Sequence, residues 1–142
     1  MALISAFKSR VLVEGSGRGR ALVLMEPLSL WGGLDPQTGE IIDPRHPQRG
    51  KTVTSRALVM RTGKGSSSAS SILLEAVRAG TAPAAIILAE ADAILALGAA
   101  VAREMYDRTL PVVVLDADDY AKLSDDQMIS ISEDGTVTIS DD

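Results

Sequence analysis

Arg61-Thr62-Gly63-Lys64-Gly65-Ser66-Ser67-Ser68-Ala69-Ser70-Ser71 joins two segments of opposite periodicity. Before it, Thr54 to Arg61 has the composition of a strand. After it, Ile72-Leu73-Leu74-Glu75-Ala76-Val77-Arg78 begins an apolar helical pattern that Gly80 and Pro83 close, so a helix is expected over about 67–79. Ala84-Ala85-Ile86-Ile87-Leu88 is then a buried strand, Asp92 is placed to cap a helix running through Met105, and Val112-Val113-Val114-Leu115 is another buried strand with Pro111 at its start. Strand, helix, strand, helix, strand is the signature of an α/β fold.

Working outward, residues 3–14 alternate partly and predict a strand, and Ala21-Leu22-Val23-Leu24-Met25 predicts a second. Between them lies Gly15-Ser16-Gly17-Arg18-Gly19. A dinucleotide-binding fingerprint needs a helix after its glycines and an acidic residue about 20 positions on. A strand follows here, so this run is assigned to a hairpin turn. Residues 28–50 are dense in glycine and proline. A short strand at Glu40-Ile41-Ile42 is expected after the Pro36–Gly39 turn, and the buried-type Trp31, Leu34, Ile41 and Ile42 argue that this long loop is ordered. A short helix is expected over 116–123. Met128-Ile129-Ser130-Ile131 and Thr136-Val137-Thr138-Ile139 alternate about Glu133-Asp134-Gly135 and predict a β-hairpin. The expected architecture is one domain over residues 1–142: a β/β/α arrangement of mixed sheets, a barrel-like sandwich with helices on one side.

Bulk properties exclude several functions. A chain of 142 residues with 46% hydrophobic content has enough aliphatic material for a core; domains near this size bury about 68–70% of their unfolded surface. The formal charge is −5 with no basic cluster, which disfavours nucleic acid as a partner. There is no cysteine, so thiolate catalysis and an iron–sulfur cluster ligated by cysteines of this chain are excluded. With His46 as the only histidine, a multi-histidine metal site cannot be built. No signal peptide or membrane-length apolar run is recognised, and a cytoplasmic location is the default.

The glycine–serine run carries the chemistry. Glycines allow a ligand close to the backbone, and a helix opening on serines presents N–H groups and a dipole that favours negative charge. A single serine would suffice for an ordinary N-cap, yet five of the six residues from Ser66 to Ser71 are serine. The run is not the phosphate loop of nucleotide triphosphatases, since position 58 lacks the required glycine. A serine hydroxyl needs activation to act as base or nucleophile. A helix terminus contributes about 0.3–1 kcal/mol, less than one pKa unit. If Ser66 is a base, another polypeptide completes its site. Trp31-Gly32-Gly33 is open to three readings: the wall of a ligand pocket, a core plug or a partner contact. His46, between Arg45 and Pro47, is read as structural or exposed, with catalysis the lesser alternative. Asp35 and Asp43 each precede a proline and are explained by turns.

Glu26-Pro27-Leu28-Ser29-Leu30-Trp31-Gly32-Gly33-Leu34-Asp35-Pro36-Gln37-Thr38-Gly39-Glu40-Ile41-Ile42-Asp43, Arg45-His46-Pro47 and Gly63-Lys64-Gly65-Ser66-Ser67-Ser68-Ala69-Ser70 together resemble the swivel domain of the aconitase X family. Gly80-Thr81-Ala82-Pro83-Ala84-Ala85-Ile86-Ile87 and Ile94-Leu95-Ala96-Leu97-Gly98-Ala99 extend the resemblance over roughly residues 8–115. Lys64 departs from the arginine more usual there, which keeps a cation but loses a bidentate fork. The resemblance implies a swivelling domain that serves as the small subunit of a hydro-lyase. The substrate it implies is cis-3-hydroxy-L-proline, with 5-phosphomevalonate as the alternative. It also implies a large subunit carrying an iron–sulfur cluster on its own cysteines, and no cofactor on this chain. Ser66 matches the serine base. Lys64, Gly65, Ser67 and Ser68 are expected to hold the substrate's anionic group, with Trp31, Gly32 and His46 as further substrate-binding residues. A carboxylate-binding module without chemistry and a purely structural partner are the competing classes.

Overall fold

The structure is a computed structural model that describes residues 3–63 and 68–140. Eight strands run in the order β1-β8-β7-β3-β4-β5-β6-β2. They are β1 (Leu3–Lys8), β2 (Arg10–Val13), β3 (Gly17–Val23), β4 (Ala57–Met60), β5 (Ala85–Leu88), β6 (Val112–Val114), β7 (Met128–Ile131) and β8 (Thr136–Ser140). Four helical segments join them: α1 (Leu30–Gly33), α2 (Ala69–Ala79), α3 (Ala93–Tyr106) and α4 (Ala117–Tyr120). The first and last strands of the order, β1 and β2, are separated only by Ser9, so the order curls back on itself. Ser9 holds this corner: its N–H and its hydroxyl both donate to the Gly135 carbonyl, at 3.2 and 2.7 Å.

Two layers of sheet result. In one, β1, β8, β7 and the first half of β3 are antiparallel. In the other, the second half of β3 and strands β4, β5 and β6 are parallel, with β2 antiparallel at the end. The parallel strands read Ala-Leu-Val-Met, Ala-Ile-Ile-Leu and Val-Val-Val because both their faces are covered. Alternation divides them between two cores. Leu22, Leu58, Met60, Ile86, Leu88 and Val112 pack with Leu73 and Val77 of α2 and with Leu95, Ala99 and Ala102 of α3. Ala21, Ala57, Val59, Ala85, Ile87 and Val113 face the other way, against Phe7, Ile129, Ile131, Val137 and Ile139 of the antiparallel layer. The β/β/α arrangement expected from the sequence is the one observed.

The helices fall close to their expected bounds. Asp92 caps α3, accepting from the N–H groups of Ile94 and Leu95 at 2.9 and 3.1 Å, and Gly80 ends α2 in the left-handed region at φ 79°. The two helices cross closely at Gly98, where a Cβ would lie 2.9 Å from the Ser70 carbonyl oxygen. The predicted hairpin is β7–β8, with Ile129 opposite Ile139 and Ile131 opposite Val137. At Glu40-Ile41-Ile42 only single bridge pairs form, Leu34 with Ile41 and Glu40 with Thr52. Asp35 builds the preceding turn, accepting from the Gln37 N–H through its side chain and from the Gly39 N–H through its carbonyl.

The hairpin turn assigned to Gly15–Gly19 is overturned. Strands β2 and β3 are not neighbours: β2 pairs with β6, and β3 with β7 and β4. Gly17 and Gly19 lie inside β3, and a Cβ on either would collide with a backbone carbonyl, that of Ala84 or of Ser55. The glycines permit close backbone approach between strand and loop rather than a reversal of the chain.

Candidate functional site at the carboxyl ends of the parallel strands

Strands β3, β4, β5 and β6 end together, and the segments leaving them begin at Leu24, Arg61, Ala89 and Leu115. Backbone hydrogen bonds tie these ends to one another. Leu24 donates to Val59, Ala89 and Glu90 both donate to Arg61, and Leu115 donates to Leu88, all at 2.8–3.0 Å. In open parallel sheets ligands bind at this end, where helix N-termini converge. Both α2 and α3 start here.

The glycine–serine segment is anchored at its first residue. The Gly63 N–H donates to Oδ2 of Asp92 at 3.1 Å, while Oδ1 of the same carboxylate caps α3. One side chain thus fixes both the exit from β4 and the start of α3. A Cβ at Gly63 would run into that carboxylate, so a larger residue would have to displace the Asp92 side chain. Sequence reasoning identified Asp92 as a cap and missed this second role; nothing in local spacing links residues 29 apart. Lys64, Gly65, Ser66 and Ser67 lie outside the described residues. Beyond them Ser68 precedes α2 with helical φ and ψ and no side-chain cap bond, and its carbonyl accepts from Ser71 and Ile72. The first turn of α2 brings the positive end of an 11-residue helix to this point.

The remaining expected residues are placed as follows. Trp31 and Gly32 form a kinked turn within α1, Gly32 at φ 78°, and α1 lies against α2. Trp31 is 61% exposed, which excludes the core-plug reading. His46 is buried, and both ring nitrogens are engaged within the chain: Nδ1 accepts from the Gln48 N–H at 3.1 Å, and Nε2 lies 3.0 Å from the Glu26 carbonyl. This pairing requires the proton on Nε2. The ring braces two loops and has no nitrogen left for a ligand. On the far side of β4, Tyr120 of α4 is half-buried; burial pushes its phenol above the ordinary value, with the Arg61 charge opposing. Tyr120 is accordingly neutral near pH 7 and no ready base.

No cysteine exists to ligate a cluster, and among the described residues no group of three His, Cys, Asp or Glu side chains is placed to hold a metal ion. No helix among the described residues is long and apolar enough to cross a membrane. An open groove of about 410 Å³ between β2 and α3 is lined by Leu12, Val13, Ala93, Ala96 and Leu97 among others, and by none of the sequence-selected residues.

Comparison with known proteins agrees with this geometry. The aconitase X swivel domain matches residues 6–139. The chain is 49% identical over 106 residues to a cis-3-hydroxy-L-proline dehydratase of Pseudomonas aeruginosa, covering 75% of this chain and 18% of that protein. It is 40% identical over 119 residues to the phosphomevalonate dehydratase small subunit of Methanothermobacter thermautotrophicus, covering 84% of this chain and 86% of that one. The chain thus spans about a fifth of the curated hydroxyproline dehydratases it matches and most of the small subunit. Among solved structures, a chain of Thermococcus kodakaraensis aconitase X in its holo-form superposes with a TM-score of 0.85 at 33% identity, covering 97% of this chain and 100% of that one. This chain belongs to the aconitase X swivel domain family.

Proposed function

We propose that this chain is the swivelling small subunit of a two-subunit dehydratase, and that residues 64–68 are its half of the active site. The observation that supports this most is the match, at 40% identity over 119 residues, to a phosphomevalonate dehydratase small subunit. A second support is that this chain has no cysteine with which to hold an iron–sulfur cluster. The cluster and the cysteines that hold it belong, in this reading, to a large companion subunit.

This chain's part is to bind an anion and to move a proton. The N-terminal turn of α2 and the backbone of residues 65–68 receive the substrate carboxylate, with Lys64 supplying a cation. Ser66 takes the proton from the carbon bearing that carboxylate. The released pair forms a C=C bond, and the hydroxyl on the neighbouring carbon leaves with its electron pair and takes up a proton to become water; from the hydroxyproline the resulting enamine then tautomerises to 1-pyrroline-2-carboxylate, its nitrogen losing a proton and its ring carbon gaining one. A serine alkoxide is disfavoured in open solvent, so the docked companion is needed to bring positive charge beside the loop. The Trp31–Gly32 turn borders the site beside α2. His46 stays out of the chemistry and holds the loops behind that turn.

Two substrates follow from the relatives. The 49% identity to one relative favours cis-3-hydroxy-L-proline, converted to 1-pyrroline-2-carboxylate, whereas the 40% identity to a phosphomevalonate dehydratase small subunit favours 5-phosphomevalonate. The decisive assay pairs this chain with the polypeptide of the same genome that matches the rest of the Pseudomonas dehydratase. Both acids are then offered to the pair and to each component. The pair is expected to dehydrate cis-3-hydroxy-L-proline and each component alone to be inactive. Ser66→Ala is expected to lower kcat about 10²–10⁴-fold with the complex intact. Turnover by the isolated chain would end the shared-site reading, and near-normal turnover by Ser66→Ala would remove Ser66 as the base.

A further inference from the structure

Ala93-Ile94-Leu95-Ala96-Leu97-Gly98-Ala99-Ala100-Val101-Ala102, the greater part of α3, carries no polar side chain. A helix that is apolar all round is ordinarily covered all round. In α3, Leu95, Gly98, Ala99 and Ala102 are buried, but Ala93, Leu97 and Ala100 are exposed, Leu97 at 57%. The spacing of these three puts them on one ridge of the helix, which exposed Glu104 continues. Beside the ridge lies the open groove of about 410 Å³ between β2 and α3, and Leu97 is one of its walls.

The ends of this surface differ in charge. Arg10 of β2 lies where the groove begins, with Ala91 and Ala93, and Glu14 lies beyond the other end of β2, with Arg103 and Glu104. All four charged side chains are exposed, and none has an ion pair among the described residues. The Asp92 carboxylate near the first end is already engaged by the N–H groups of Gly63, Ile94 and Leu95. One end is therefore cationic, and the other carries two carboxylates against one guanidinium. A surface apolar along its middle and opposite in charge at its ends complements itself when turned about a two-fold axis. An unrelated polypeptide requires no such self-match. We infer that the α3 ridge and the groove beside it join two copies of this chain, with the two α3 helices antiparallel. Leu97 of each copy enters the groove of the other, and Arg10 of each meets Glu14 and Glu104 of the other. This goes beyond the function proposed above and does not depend on it.

Sedimentation equilibrium of the full chain over a concentration series is expected to give a monomer–dimer equilibrium. Leu97→Gln, at an exposed position, is expected to keep the melting temperature and to raise the dimer Kd at least about 10-fold. Arg10→Glu sets like charges against each other at both ends of the pair and is expected to raise the Kd by a similar factor. Combining Arg10→Glu with Glu104→Arg restores opposite charges and is expected to return the Kd to within about threefold of the parent. Met25→Gln, an exposed apolar control outside the groove, should leave it unchanged. A chain that stays monomeric up to about 1 mM would overturn the inference. So would a dimer that Leu97→Gln leaves intact, or one that the paired charge reversal does not restore. Leu97→Gln weakening the binding of a companion subunit but not self-association would overturn it too, and would assign the face to that companion. These readouts involve no turnover, so their failure is distinct from failure of the dehydratase reading.

Discussion

Asp92 does two jobs at one carboxylate, and its oxygens can be separated by mutation. Oδ1 caps α3 and Oδ2 receives the Gly63 N–H. Asp92→Ala loses both and is expected to cost about 1–2 kcal/mol in urea unfolding. Asparagine caps about as well as aspartate, but its amide then faces the Gly63 N–H donor to donor. Asp92→Asn is thus expected to keep the cap yet lose about 1 kcal/mol at the Gly63 contact while turnover of the reconstituted enzyme falls. Full activity in Asp92→Asn would show that the Gly63 anchor does not shape the loop. At this scale the sequence disclosed the residue types and half their duties. The cap was legible because it is local. The tie to Gly63 and the burial of His46 were not, since each joins groups that only folding brings together.

The β7–β8 hairpin shows what an element can display in advance. Its alternation and its turn glycine were visible in residue order; the structure puts that glycine, Gly135, at φ 87°. Its turn also contains an acid-sensitive group. Asp134 accepts from the Ser132 hydroxyl at 2.6 Å and the Thr136 N–H at 2.9 Å, with Lys8 at 3.5 Å. The Ser132 hydrogen bond is the largest of the influences that hold its carboxyl well below the usual range. A depressed folded-state pKa contributes stability above the unfolded value and loses it as pH falls below about 4. Urea midpoints measured from pH 7 downward are expected to drop in that window. Asp134→Asn should flatten part of the drop, and a variant with the parent's acid profile would contradict the assignment. By contrast, the Gly15–Gly19 element was misplaced. Glycine marks a need for backbone space or for positive φ, and residue order does not distinguish the two.

For the whole molecule, the central sheet makes two cores interdependent. Ile86 and Ile87 are adjacent in β5, yet one packs beneath the helices and the other between the sheets. Ile86→Ala and Ile87→Ala are each expected to cost about 2–5 kcal/mol. Unfolding should remain one transition, with far-ultraviolet circular dichroism and tryptophan fluorescence coincident, because neither core persists without the strand they share. Two separated transitions in either variant would mean that the layers fold independently.

By itself, the order of residues determined the α/β class, the positions of α2, α3 and the β7–β8 hairpin, and the family. Each of these depends on interactions within a few residues or on long contiguous motifs. Only the tertiary structure decided that β2 and β3 part company, that the sheet order closes through Ser9, and that His46 faces inward while Trp31 faces outward. These outcomes depend on which distant surfaces exclude water from one another, and no window along the chain contains both partners of such a contact.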